Sequence, residues 1–298
     1  MNIGHVGVWH PLFGNAPGET GGRAAARAEE LGYGSVWVGE GPGSKDPLVS
    51  AAILLAATRR IAVGTGIASI WSRDAAAMAG SRFALGEAFP GRFIAGLGVS
   101  HAPLVNARGH DYAKPLTAMR RYLDGMDETA KHHREVDAPR LLAALRPGML
   151  ELARDRADGA HPYFVPPEHS ERAREILGPG KLLMPEQAVL VETDPTRARE
   201  IARDHMSVYL SLPNYLNNLR DLGYTDDDFA GGGSDRLVDA IVGWGSPDAV
   251  AERVRAHLGA GADHVAIQPL SPGGPDLGDA LRQLELLAPR ARPAVRGL

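Results

Sequence analysis

Ser35-Val36-Trp37-Val38-Gly39, Ile61-Ala62-Val63-Gly64-Thr65-Gly66 and Arg92-Phe93-Ile94-Ala95-Gly96-Leu97-Gly98 are short apolar runs, rich in β-branched residues and ended by glycine. Each reads as a strand buried on both faces. A helical stretch follows each one. The first is Pro47 to Ala57, with Asp46 as a natural N-cap and proline at the first helical position. The others are Arg73 to Ala88, with an aspartate in its first turn, and Leu116 to Lys131.

The alternation extends in both directions from this core. Upstream, Ile3 to Trp9 is a strand and Glu19 to Leu31 a helix. Downstream, strands at Arg140 to Leu145, Gly159 to Pro162, Ala188 to Glu192 and Asp263 to Gln268 alternate with helices at Pro147 to Ala157, Pro167 to Leu177, Pro195 to Leu210 and Asp276 to Leu287. Eight β-then-α units predict an α/β fold, a (β/α)8 TIM barrel forming one domain over residues 1–298. An open doubly wound sheet gives the same local alternation, and the count of eight favours closure. The pattern is interrupted before the eighth strand by an insertion, Ser211 to Gly245, containing the Gly231-Gly232-Gly233 break and a helix at Asp235 to Val242. Its Asn214 to Gly233 part is expected on the barrel's outside. A helix capped by Ser246 before Pro247 follows.

Bulk properties narrow the function. A net charge of −4 gives no electrostatic reason to expect nucleic acid or an anionic membrane. No apolar run is long enough to span a bilayer, and the start Met1-Asn2-Ile3-Gly4-His5 lacks the pattern of a signal peptide. With zero cysteines, disulfides, thiolate metal sites and cysteine nucleophiles are excluded together, and a cytoplasmic location is the plain expectation.

In such a barrel, function collects on the loops after the carboxyl ends of the strands. The loop after the fourth, Val99 to Pro115, is the longest and carries Ser100 and His101. Leu145-Arg146-Pro147-Gly148-Met149 turns a strand directly into a helix, so free N–H groups and Arg146 could receive a phosphate. Ala160-His161-Pro162-Tyr163-Phe164 ends the neighbouring strand. The alternatives are that Arg146 only caps its own helix and that Tyr163 is core.

Together these segments resemble the bacterial luciferase-like monooxygenase superfamily, and most closely its coenzyme F420-dependent oxidoreductase branch. The residues that carry the resemblance are Gly34 to Glu40, Ile61 to Ile67, Pro90 to Gly98 and the Ala157-Asp158-Gly159-Ala160 turn. The resemblance implies a redox enzyme using coenzyme F420, or alternatively FMN, on a small organic substrate, assembled as a homodimer. It implies a non-prolyl cis peptide within Gly66-Ile67-Ala68-Ser69, backing the cofactor ring, with Gly96 and Gly98 keeping the next strand end low under it. Where alcohol and sugar-phosphate dehydrogenases of that branch carry an Asp-His pair after strand two, this chain has Glu40 and Gly41; where they often have Thr-Gly-Glu after strand four, it has Val99-Ser100-His101. Glu40, His101 or His10 could supply the proton acceptor that an alcohol needs; the alternatives are a solvated surface carboxylate for Glu40 and a hydrogen bond that satisfies its own loop for each histidine.

Other classes fare worse. Gly98-Val99-Ser100-His101-Ala102 misses the last glycine of a nucleophile elbow, and His5 and His10 would face differently on a strand, so no metal-ligand set emerges. Gly64-Thr65-Gly66 and Gly96-Leu97-Gly98 each lack the third glycine of a dinucleotide fingerprint. A flavin-binding barrel without catalysis stays open.

Overall fold

The strands of the computed structural model are β1 Val6–Trp9, β2 Ser35–Val38, β3 Ala62–Thr65, β4 Ala68–Ser69, β5 Phe93–Gly98, β6 Arg140–Leu142, β7 Gly159–Ala160, β8 Leu182–Leu183, β9 Glu186–Val191, β10 Gly243–Gly245 and β11 Val265–Pro269. The structure describes residues 3–41 and 43–289. Both ends of the 1–298 span, and Pro42 in the loop after β2, lie outside the described residues.

All pairings are parallel and run β9-β11-β1-β2-β3-β5-β6-β7-β8, with β10 on the far half of β9 and β4 on the end of β5. β8 and β9 are two parts of one strand, separated by Met184 and Pro185. That segment is bonded on both sides: Met184 N donates to Ala160 O at 3.0 Å and Glu186 N to Pro162 O at 2.8 Å, while Ala266 N donates to Pro185 O at 2.9 Å. The sheet therefore closes into a barrel of eight positions. β3 and β4 are likewise halves of one strand, parted at Gly66-Ile67. These two-residue strands leave too little periodicity to be read from sequence.

The barrel interior is packed, as its inward-pointing side chains require. Trp9, Trp37, Ala62, Ile94, Leu141, Met184 and Ala266 form one cluster there. Beneath them Trp37 Nε1 donates to Ser35 Oγ at 2.7 Å, Ser35 Oγ meets His264 Nε2 at 2.7 Å, and His264 Nδ1 meets Gly4 O at 2.8 Å. The outer helices bury a larger apolar layer against the strands. Their starts follow local chemistry: the side chains of Asp46, Asp74, Asp194, Ser246 and Asp276 each accept a backbone N–H of the first turn.

The insertion corrects the expectation from sequence. Its helix Pro213–Asp221 lies over the barrel mouth and not on the outside, because Tyr215 and Leu219, four residues apart, form an apolar face that buries against Phe164 and its neighbours. Asn214 and Tyr215 thereby enter the wall of the cavity described next.

Candidate active site

The carboxyl ends of the strands and the loops beyond them enclose a cavity of about 380 Å3. One part of its lining is backbone and small side chains: Gly39, Gly66, Ile67, Gly98, Ala143 and Ala144. The rest is largely apolar and aromatic, including Trp9, Leu145, Tyr163, Leu212 and Tyr215.

The break between β3 and β4 forms part of this lining. The Gly66–Ile67 peptide bond is cis, within the segment where the resemblance placed one. Trp9 Nε1 donates to Gly66 O at 2.7 Å, and Glu40 N donates to Ile67 O at 3.1 Å. Gly66 has no room for a side chain: a Cβ would lie 2.6 Å from Trp9 Nε1 and 2.8 Å from His161 Nε2. His161 stacks on Trp37 with ring centroids 4.4 Å apart, and its Nδ1 lies 2.6 Å from Met184 O. A carbonyl only accepts, so Nδ1 carries the proton and Nε2 is a buried lone pair with no partner. Burial pushes the His161 pKa down to about 4, so the imidazole stays neutral at pH 7.

Glu40 is neither free nor solvated. Its Oε2 accepts from Ser69 N at 2.8 Å and Arg73 Nη1 at 3.1 Å, and its Oε1 accepts from Arg73 Nη2 at 3.1 Å. The Glu40 side chain is only 6% exposed and that of Arg73 11%. Burial on its own would lower the Arg73 pKa, and the bonds and charges of Glu40 and Asp46 reverse that. The carboxylate thus ties the loop after β2 to β4, and both oxygens are taken.

The other two acid–base candidates have separate settings. His101 bridges the loop after β5 to the insertion, its Nδ1 lying 3.1 Å from Asn214 Oδ1 and its ring 5.4 Å from that of Tyr215. Burial lowers its pKa, with the Asn214 bond opposing. His10 is not on the cavity wall. It is a buried N-cap for helix Pro11–Asn15, its Nδ1 accepting from Leu12 N at 3.3 Å, and burial brings its pKa down to about 4 against the opposing charge of Asp276. The physical reason is a short helix that starts at Pro11, unread in the sequence, which draws His10 inward.

Among the proposed cofactor contacts, Gly66, Ile67, Gly98, Ser100, Leu145, His161 and Tyr163 line the cavity. Ala68 is buried in β4, and Ser69 lines a smaller adjoining cavity with Ser72, Ser100 and Arg108. Gly96 faces the neighbouring strand, where a Cβ would meet Thr65 O at 1.9 Å. Arg146 is half-exposed, and its Nε donates to Asp221 Oδ2 at 2.7 Å, although its backbone is the N-cap of helix Pro147–Arg156. Pro147, Gly148 and Met149 form the first turn of that helix, outside the cavity wall. Pro162 O is used by Glu186 N, and Phe164, buried with φ of +60°, stacks on Tyr209.

Sequence reading missed Trp9, Tyr209, Asn214, Tyr215 and Glu186. Glu186 is buried, and burial raises its pKa to about 8 against the lowering bond from Phe164 N. The Tyr215/Leu219 spacing was the available signal for the insertion. No cluster of three or more His, Asp or Glu side chains among the described residues could hold a metal ion.

The sequence model of the luciferase-like monooxygenase family matches residues 6–264. A curated relative, the 5,10-methylenetetrahydromethanopterin reductase of Methanolobus tindarius, is 31% identical over 153 residues. That match covers 45% of this chain and 47% of the reductase, so the chain spans about half the relative's length. Among solved structures, an F420-dependent secondary alcohol dehydrogenase in complex with an F420-acetone adduct has a TM-score of 0.76 at 15% identity, covering 99% of this chain and 100% of that one. The oxygenating component of 3,6-diketocamphane monooxygenase from Pseudomonas putida, in complex with FMN, has a TM-score of 0.70 at 16% identity, covering 98% and 99%. At such identities the likeness is one of fold.

Proposed function

This chain belongs to the luciferase-like monooxygenase family, and from that premise we propose that it is an oxidoreductase exchanging a hydride between coenzyme F420 and a small organic substrate. The observation that carries this reading is the lining of Gly39, Gly66, Ile67, Gly98, Ala143 and Ala144. It presents backbone and methyl groups without a charged side chain, which suits the face of a flat ring lying against it. The residues present fit a flat ring: Gly39, Gly66, Gly98, Ala143 and Ala144 bring nothing larger than a methyl group to that wall, and the unpartnered Nε2 of His161 lies on the same cavity.

In this reading the Gly66 to Ser69 segment backs the ring, and Leu145 to Met149 receives the phosphate. No side chain caps helix Pro147–Arg156; Pro147 has no N–H and Met149 N donates to Arg146 O at 3.1 Å, so the Gly148 N–H is the first-turn group that would meet the phosphate, beside Arg146. Arg146 would exchange Asp221 for that phosphate, which costs little because an exposed ion pair is worth at most about 1 kcal/mol. When bound, a deazaflavin supplies a carbon centre that gives or takes a hydride. The chain's own part is to position the substrate, exclude water and hold a proton.

Titration of the purified protein with F420 and with FMN, followed by absorbance and fluorescence, tests the proposal. F420 is expected to saturate, and Arg146→Ala to weaken it about tenfold, as one lost charge-assisted contact implies, without changing the affinity of a phosphate-free deazaflavin. Saturation by FMN alone would replace the deazaflavin with a flavin, and binding of neither would remove the redox reading.

A further inference from the structure

Three tyrosines stand on the cavity wall, and two of them, Tyr209 and Tyr215, are not among the proposed cofactor contacts. Tyr163 follows β7, Tyr209 ends helix Pro195–Tyr209, and Tyr215 sits in the first turn of helix Pro213–Asp221. Ring centroids are 5.3 Å apart for Tyr163 and Tyr209, and 5.4 Å for Tyr209 and Tyr215.

Their hydroxyls differ in what they can still offer. Tyr163 Oη donates to Gln268 Oε1 at 2.8 Å and lies 2.7 Å from Tyr209 Oη. A phenol has one proton, so the proton between the two tyrosines comes from Tyr209. The Tyr209 lone pairs are then free, and rotation about its C–O bond can bring the proton to a ligand instead. Tyr215 is buried, yet its hydroxyl bonds to no other described residue.

The charge of the wall limits what can occupy the space beside them. Among the described residues, no lysine or arginine lines the cavity. Burial lowers the pKa of both His101 and His161, keeping them from becoming cations at neutral pH. Glu40, the one carboxylate among the described lining residues, is already met by Arg73. An anionic substrate would lose its water here without finding a counter-charge, whereas a neutral one would lose little.

We infer that Tyr209 and Tyr215 form an oxygen-binding subsite for an uncharged carbonyl or hydroxyl compound, in which Tyr209 holds the proton that the substrate oxygen gains or gives up. The inference rests on reading the cavity as a hydride-transfer site. In the reducing direction, the hydride supplied by the reduced deazaflavin forms a C–H bond at the carbonyl carbon. The C–O π pair moves to oxygen and the Tyr209 proton follows it. The phenolate accepts the Tyr163 hydrogen bond, once Tyr163 turns from Gln268, until water restores its proton as product leaves. Burial raises the Tyr209 pKa to about 12, so the proton is present throughout the neutral range. The subsite takes the place of a histidine after β2, where this chain has Gly41.

The test uses cofactor-loaded wild type, Tyr209→Phe and Tyr215→Phe, with cofactor affinity measured first for each. The probes are cyclohexanone, butanone, acetophenone and hexanal, against 4-oxocyclohexanecarboxylate as the charged counterpart. Binding is read by ligand-observed NMR and turnover by cofactor absorbance. At least one neutral probe should bind, the carboxylate should not, and Tyr215→Phe should weaken binding about fivefold, as one lost hydrogen bond implies. Tyr209→Phe should lower kcat by about 100-fold or more with a much smaller change in KM, while cofactor affinity stays within about twofold. The inference is overturned if no neutral probe binds, if the carboxylate binds as well, or if neither substitution changes binding or kcat. Loss of cofactor affinity in the wild type would instead sink the hydride-transfer reading, with probe binding and its tyrosine dependence still deciding the subsite.

Discussion

Glu40→Gln should destabilise the protein by about 3 kcal/mol without acting as the loss of a catalytic base. Three hydrogen bonds reach the Glu40 carboxylate, from Ser69 N and from both terminal nitrogens of Arg73. A glutamine can keep an acceptor for only one side of this arrangement and turns an N–H2 toward donors. Removing one partner of a buried ion pair costs about 3–5 kcal/mol. Asp46, 3.0 Å from Arg73 Nη2 but nearly half exposed, retains part of the compensation, which places the expected loss at the low end. Unfolding entropy of roughly 2.1 cal/mol/K per residue, over 298 residues, converts 3 kcal/mol into a Tm about 5 °C lower. Urea melts of Glu40→Gln, Arg73→Gln and the double variant provide the assay. The pair should show a coupling energy above about 1.5 kcal/mol, because the second substitution removes a charge that the first has already left unpaired. Additive single effects, or a Glu40→Gln variant as stable as wild type, would refute the reasoning and return Glu40 to the list of free acid–base groups.

Gly66→Ala should cost about 1–3 kcal/mol through overpacking against Trp9 and His161 and lower cofactor affinity at least about tenfold; a denaturation curve and a cofactor titration read the two effects separately. Gly41→His should leave Tm unchanged within about 1 °C, since its Cβ meets nothing, and add a titration near the ordinary histidine pKa to the rate profile. In the acid range, His10, His161, His169, His205 and His264 all have pKa values lowered by burial to about 4. The unfolded chain therefore binds more protons between pH 6.5 and 4, and stability should fall as pH drops through that window, by up to about 1.4 kcal/mol per pH unit for each histidine. Glu186 has the opposite sign: its raised pKa contributes stability below its unfolded value of 4.5, and that contribution is lost as pH rises toward 8. Glu186→Gln should therefore gain on wild type between pH 5 and 8 in urea melts, and a constant offset across that range would disprove the assignment.

What the sequence revealed depended on how local the cause was. Helices Pro47–Ala57 and Pro167–Leu177 match their expected bounds because proline, and in the first case the Asp46 cap, act within a single turn. Strand cores were legible for the same reason, as apolar runs, while β4 and β8 were not. Partner choice is another matter. Glu40 and Arg73 are 33 residues apart, Arg146 and Asp221 are 75 apart, and nothing in either neighbourhood names the other. Such pairings exist only once barrel closure has brought the strand ends together, which is why Glu40 looked like a free carboxylate.

The same logic explains where the acid–base chemistry falls. After β2, the residue that could have faced a substrate is Gly41, and the charged residue beside it is committed to holding the Gly66 to Ser69 segment through Ser69 N. Groups that keep the lining in shape are poor proton carriers, because any change in their charge would undo the bonds they maintain. A hydroxyl such as that of Tyr209 is different: it exchanges one hydrogen bond for another by rotating, and its partner Tyr163 can follow. Rigid chemistry on the Glu40 side and rotatable chemistry on the tyrosine side are therefore complementary, and the insertion that supplies Tyr215 belongs to the second.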